Sequence, residues 1–108
     1  MLFRSVASAT TPAPPPPAPA APSGLNATSV AKTAVTLAWV DNAGNEDGFR
    51  LEVSVNGRAF SQIATLPANT TGYSHTGLKS RTTYSYRVRA YNAGGPSAYS
   101  NTVTVKTP

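Results

Sequence analysis

TTYSYRVRAYN, residues 82–92, is the stretch on which the fold class turns. Tyr84, Tyr86, Val88 and Ala90 fall on one side of it, and Ser85, Arg87, Arg89 and Tyr91 on the other. Successive side chains of an extended strand point to opposite faces, so this alternation predicts a half-buried β-strand. A helix would repeat its apolar residues every three or four positions instead. Tyr and Val on the apolar side add strand preference.

The same period of two continues outward. Upstream, Leu25 and Ala27 mark a short first strand, and Val35, Leu37 and Trp39 alternate with Thr36, Ala38 and Val40 in a second. DNAGNEDG (41–48) reads as a loop, because Asn, Asp and Gly supply turn chemistry. Phe49, Leu51 and Val53 then alternate with Arg50, Glu52 and Ser54, a strand with one wet face. Asn56-Gly57 accepts the dihedrals of a type I′ turn and predicts a hairpin. A fourth strand follows over 58–65, leading to Leu66-Pro67, and a short fifth over 71–75. Downstream, Asn92 to Pro96 is a Gly-rich loop, and the last strand runs over 99–106 with Val103 and Val105 inward. No segment carries a helical repeat. Seven short strands divided by turn signals predict an all-β, immunoglobulin-like sandwich. Its core is expected from Leu25, Val35, Leu37, Trp39, Phe49, Leu51, Val53, Ile63, Leu66, Leu78, Tyr84, Tyr86, Val88, Val103 and Val105.

Ahead of that domain the composition changes. Residues 12–22 are only Pro and Ala, which cannot bury enough apolar surface to offset chain entropy. They read as a disordered linker, spanning roughly 34 Å at ~3.1 Å per residue in polyproline II. The division is a leader over 1–11, the linker over 12–22 and the domain over 23–108. VASATTP in the leader has the form of the closing TVTVKTP, so the leader has two readings, the tail strand of an upstream repeat and a generic low-complexity tail. MLFRS reads as a start or cloning remnant and takes no part in the fold. Ala7-Ser8-Ala9 fits a signal cleavage site, but no long apolar run precedes it.

With no cysteine, neither disulfides nor a thiolate metal site is available. The net charge of +5 comes from scarce acids rather than a basic block, which argues against a nucleic-acid module. No run is long enough to span a membrane as a helix.

Three groups of residues together resemble a fibronectin type III domain, over residues 21–107. AVTLAWV places a Trp on the second strand. GLKSRTTYSYRVRAYN has Leu78 and Tyr84 at that family's spacing before an alternating strand, and GGPSAYSNTVTVKTP has its closing pattern. WVDNAGNEDGFR is especially similar to such repeats in bacterial extracellular proteins. The resemblance implies sheets A-B-E and C′-C-F-G with Greek-key connections. It also implies a tyrosine corner, the Tyr84 hydroxyl bonding backbone a few residues upstream.

Chemistry is sparse. His75, the one histidine, reads as a hydrogen-bonded residue at a strand end. Asp41, Glu46 and Asp47 share one loop with no partner on another element, so no acid–base pair is expected. That loop offers oxygen ligands to a hard cation but lacks EF-hand spacing and the distal Glu; turn formation explains it more simply. The sequons at Asn26 and Asn69 matter only in a eukaryotic secretory path. One group is richer: Arg50, Arg87, Arg89 and Tyr91 share a solvent face with Glu52 if their strands are neighbours. It has two readings, a surface for stacking sugars or holding acidic polysaccharide, and a solvated face with cross-strand Arg–Glu pairing, which is the simpler.

The expectation is a non-catalytic spacer or interaction module in a multidomain secreted or cell-surface bacterial protein, positioning glycan-degrading or other neighbours. The alternative is a module binding acidic polysaccharide, cell wall or matrix through the basic face. No cofactor or metal, no nucleic acid and no membrane insertion are expected. The partners would be neighbouring domains of the same chain, then a polysaccharide or another protein, and the chain itself a monomer.

Overall fold

The computed structural model describes residues 17–108. The leader over 1–11 and the first part of the linker, 12–16, lie outside the described residues. Eight strands are present among those described: β1 (Ser23–Val30), β2 (Val35–Val40), β3 (Gly48–Val55), β4 (Ser61–Pro67), β5 (Gly72–His75), β6 (Thr83–Asn92), β7 (Gly95–Pro96) and β8 (Val103–Lys106). They form two antiparallel sheets, one ordered β1-β2-β5 and the other β4-β3-β6-β7, with β8 also on β6. This is the A-B-E and C′-C-F-G arrangement. The chain passes between the sheets after β2, β4 and β5, which gives the Greek-key course.

Alternation builds the core. In β6, Tyr84, Tyr86, Val88 and Ala90 are buried while the residues between them are half-buried. Phe49, Leu51 and Val53 from the neighbouring strand β3 lie beside them in the same sheet, Val35, Leu37 and Trp39 come from β2 of the opposite sheet, and Leu25 and Leu78 complete the buried cluster. Ile63, Leu66, Val103 and Val105 only pack partly against this core, because they sit on the outer strands β4 and β8. Asn56 and Gly57 both take positive φ (52° and 78°), as the type I′ turn between β3 and β4 requires. Glycine at 48 has a different cause. A Cβ there would lie 2.9 Å from the Tyr91 hydroxyl and closer still to the Leu66 carbonyl oxygen.

The tyrosine corner is formed. The Tyr84 hydroxyl accepts a bond from the Lys79 backbone N–H at 3.0 Å. Tyr84→Phe should therefore lower the unfolding free energy by about 1 kcal/mol. Urea titrations should shift in midpoint with no change in slope.

Three expectations need correction. The side of β3 expected to be wet is not: Glu52 and Ser54 are buried, and the Ser54 hydroxyl donates to the Arg58 carbonyl. The fourth strand begins at Ser61 rather than 58, leaving Phe60 in the connection. The last strand begins at Val103 rather than 99, and a two-residue strand, β7, forms inside the expected loop 92–96. Between them the Ser97 and Ser100 hydroxyls accept from the Ala90 and Val88 N–H groups at 2.9 and 3.1 Å. Their own N–H groups donate back to the Ala90 and Val88 carbonyls. Side chains thus carry part of the ladder, and the backbone is free to bend. Asn101 uses that bend to reach the other sheet, where its amide makes two bonds of 2.9 Å to the Leu25 N–H and carbonyl.

Residues 17–22 of the Pro/Ala stretch lie against the domain. Pro19 and Pro22 are buried, and the Pro17 and Ala21 carbonyls accept side-chain hydrogen bonds.

Candidate functional site

The outward residues of β3 and β6 meet in register: Gly48 opposite Tyr91, Arg50 opposite Arg89, Glu52 opposite Arg87. The four residues of the candidate face, Arg50, Arg87, Arg89 and Tyr91, are therefore brought together around Glu52.

Glu52 is the centre of the group. Its Oε1 accepts from Arg87 Nε and Nη2, both at 2.8 Å, and its Oε2 accepts from the Tyr99 hydroxyl at 2.8 Å. Burial works against ionising Glu52, but the Tyr99 hydroxyl and the Arg87 guanidinium outweigh it and hold the carboxyl below its ordinary range. The Tyr99 hydroxyl is pushed up by burial and by the Glu52 hydrogen bond, so it stays a donor.

Arg87 is sandwiched. Its guanidinium carbon lies 4.0 Å from the Phe60 ring centroid and 3.8 Å from that of Tyr99. Like charges opposite one another repel, and Arg50 and Arg89 avoid this by turning to different rings. Arg50 covers Tyr91 at 4.2 Å, and Arg89 covers Tyr99 at 4.6 Å. Each stacking contributes ~0.5–1 kcal/mol at exposed sites and more where water is excluded. The buried Nε of Arg89 has no hydrogen-bond partner. The arrangement is a clasp in which guanidinium and aromatic surfaces are turned on one another.

Sequence reasoning missed Phe60 and Tyr99. Period-two counting sets both inside strands, over 58–65 and 99–106, whereas each lies in irregular backbone ahead of the strand that follows it. The usable signal was compositional: aromatics flanking strands that place several arginines on one side.

Four other titratable groups pair away from this face. His75, on the edge strand β5, shares a 2.9 Å hydrogen bond through Nδ1 with the buried Tyr86 hydroxyl. Burial pulls the His75 pKa down and pushes that of Tyr86 up. In the loop 41–47, Asp41 is raised by burial and by its hydrogen bond to Glu46, and Glu46 is lowered chiefly by the same bond. Glu46 also accepts from the Asn69 N–H at 3.1 Å, tying the loop to the turn after β4. No cluster of three or more His, Cys, Asp or Glu suited to a metal occurs among the described residues.

Comparison with known proteins places this arrangement. Chitinase Chi52 of Paenibacillus xylanexedens is 35% identical over 90% of this chain and 18% of its own length. Exoglucanase B of Cellulomonas fimi is 39% identical over 91% of this chain and 9% of its own length. An alpha-amylase of Niallia circulans is 38% identical over 81% of this chain and 6% of its own length. The chain thus spans less than a fifth of each of these relatives. Among solved structures, the twitchin kinase region from C. elegans superposes with a TM-score of 0.74 at 23% identity, over 85% of this chain and 17% of that one. A segment of two fibronectin type III domains from chicken tenascin gives 0.71 at 21%, over 81% of this chain and 49% of that one. These two likenesses show the fold. The model of the fibronectin type III domain matches residues 20–106, and with the two sheets and the tyrosine corner it establishes that the chain belongs to the fibronectin type III domain family.

Proposed function

We propose that the chain is a non-catalytic spacer and interaction module of a larger bacterial protein that works outside the cell or at its surface, where it sets the separation and orientation of neighbouring domains. One observation carries this reading. Nearly the whole chain recurs as a small part of three long bacterial proteins named for different activities, a chitinase, an exoglucanase and an alpha-amylase. A role tied to one substrate would not accompany three such activities, whereas positioning serves them all. The side-chain chemistry agrees. Glu52 is held by Arg87 and Tyr99, His75 by Tyr86, and Asp41 and Glu46 by each other.

The alternative, a face for acidic polysaccharide built on Arg50, Arg87, Arg89 and Tyr91, receives less support. The stacking surfaces it needs are taken up inside the clasp. Retention of the chain on insoluble chitin, cellulose, starch and an acidic polysaccharide, at low and high salt, tests the two against each other. The spacer role predicts no retention on any of them. Salt-sensitive retention abolished by Arg50→Ala with Arg89→Ala would replace it with the binding role.

A further inference from the structure

The loop 41–47 and the Asn92 end of β6 carry three asparagines whose amides all point at the incoming Pro/Ala segment. Asn45 Nδ2 and Asn92 Nδ2 both donate to the Pro17 carbonyl, at 3.1 and 2.9 Å. Asn92 Nδ2 also donates to the Asn45 carbonyl at 3.0 Å, joining the two loops beneath Pro17. Further along, Asn42 Nδ2 donates to the Ala21 carbonyl at 3.0 Å and to the Ser23 hydroxyl at 2.8 Å. Pro19 and Pro22, lying between and beside these anchor points, are buried.

The chemistry suits a proline-rich guest. Proline has no N–H to donate, so such a segment cannot join a sheet edge as an ordinary strand. It does present carbonyls with two lone pairs each, and at Pro17 both are met by an asparagine amide. Proline also starts with less conformational freedom, so fixing it costs less entropy than fixing another residue. Asn92 is itself held in place, since its Oδ1 accepts from the Gly94 N–H at 2.7 Å.

We propose that Asn42, Asn45 and Asn92 form a clamp that fixes residues 17–22 on the domain and so sets the direction in which the chain enters it. Six of the eleven residues of the Pro/Ala stretch then belong to the rigid body, and the domain's effective boundary moves from Ser23 to Pro17. The biological value of the clamp rests on the positioning role proposed above, but the clamp itself is measured on this chain alone.

The test is 15N relaxation on the full 108-residue chain, read at the amides of Ala18, Ala20 and Ala21. The clamp predicts order parameters like those of the strands, about 0.85. In the variant carrying Asn45→Ala and Asn92→Ala, Ala18 should fall below about 0.6 while Ala21, still held by Asn42, stays high. Ala18 already below that value in the parent, or unchanged in the variant, would overturn the clamp. If the double variant fails to fold, Asn45→Ala alone is read at Ala18: Asn92 still donates to Pro17, so a smaller fall is expected there, and no fall would overturn the clamp. Failure of the polysaccharide test leaves these values unaffected, so the two outcomes stay separable.

Discussion

Trp39→Ala should remove about 3–5 kcal/mol from the unfolding free energy, the largest loss expected from any single truncation here. The indole is 4% exposed near the end of β2 and meets Phe49 of the opposite sheet with ring centroids 5.9 Å apart. It is therefore one of the side chains through which the two layers touch, and alanine would leave a cavity that neither sheet can close without breaking its own ladder. Domains of this size have about 5–15 kcal/mol in total, so the variant would sit near the edge of stability. Circular dichroism melts should show its midpoint well below the parent's; equal midpoints would refute the assignment of Trp39 to the core. A companion variant sharpens the point. The indole Nε1 is buried without a hydrogen-bond partner, so Trp39→Phe loses volume but also relieves an orphaned donor. It should cost clearly less than the alanine variant.

Glu52→Ala should cost about 2–3 kcal/mol, which is large for a residue on an outer sheet face. Removing one partner of a buried ion pair costs about 3–5 kcal/mol because the other charge is left uncompensated. The Arg87 side chain is 29% exposed, and water reduces that figure. The Tyr99 hydroxyl would lose its acceptor as well. The same clasp predicts a pH dependence. The Glu52 carboxyl is lowered in the folded state from its ordinary value of 4.5, so the unfolded chain binds the proton more readily. Its contribution is then fully present above about pH 4.5 and is lost as pH falls through the folded value. Denaturant midpoints taken from pH 7 down to pH 3 should fall less steeply in Glu52→Gln than in the parent. Parallel slopes would show that the clasp does not contribute in this way.

The strands with a strict period of two were legible from the residues alone. In β2, β3 and β6 the alternation named the inward side chains directly, and the structure buries Leu37, Trp39, Phe49, Leu51, Tyr84, Tyr86 and Val88. Asn56-Gly57 located its turn because few other residue pairs accept two consecutive positive φ values. Legibility ended where side chains replace backbone. Ser97 falls between the expected loop and the last strand and Ser100 inside that strand, yet it is their hydroxyls that complete the ladder of β6. Asn101 shares the inward parity of Val103 and Val105, but alternation does not say that its amide joins the two sheets through Leu25. Nothing in a period-two count registers a hydroxyl acting as an acceptor for a neighbouring strand. The candidate site was half visible for a related reason. Alternation placed Arg50, Arg87, Arg89 and Tyr91 together, but Phe60 and Tyr99 approach from irregular segments, and only the fold determines what they cover.

The break between β7 and β8 also bears on how such chains tolerate crowding. An uninterrupted outer strand offers a row of free N–H and C=O groups that a second molecule can extend, which is the usual start of aggregation. Here that border is split into a two-residue and a four-residue piece, with hydroxyls turned inward between them. A neighbour adding itself at this margin would find no continuous template, so many copies held close together in one long polypeptide could remain separate.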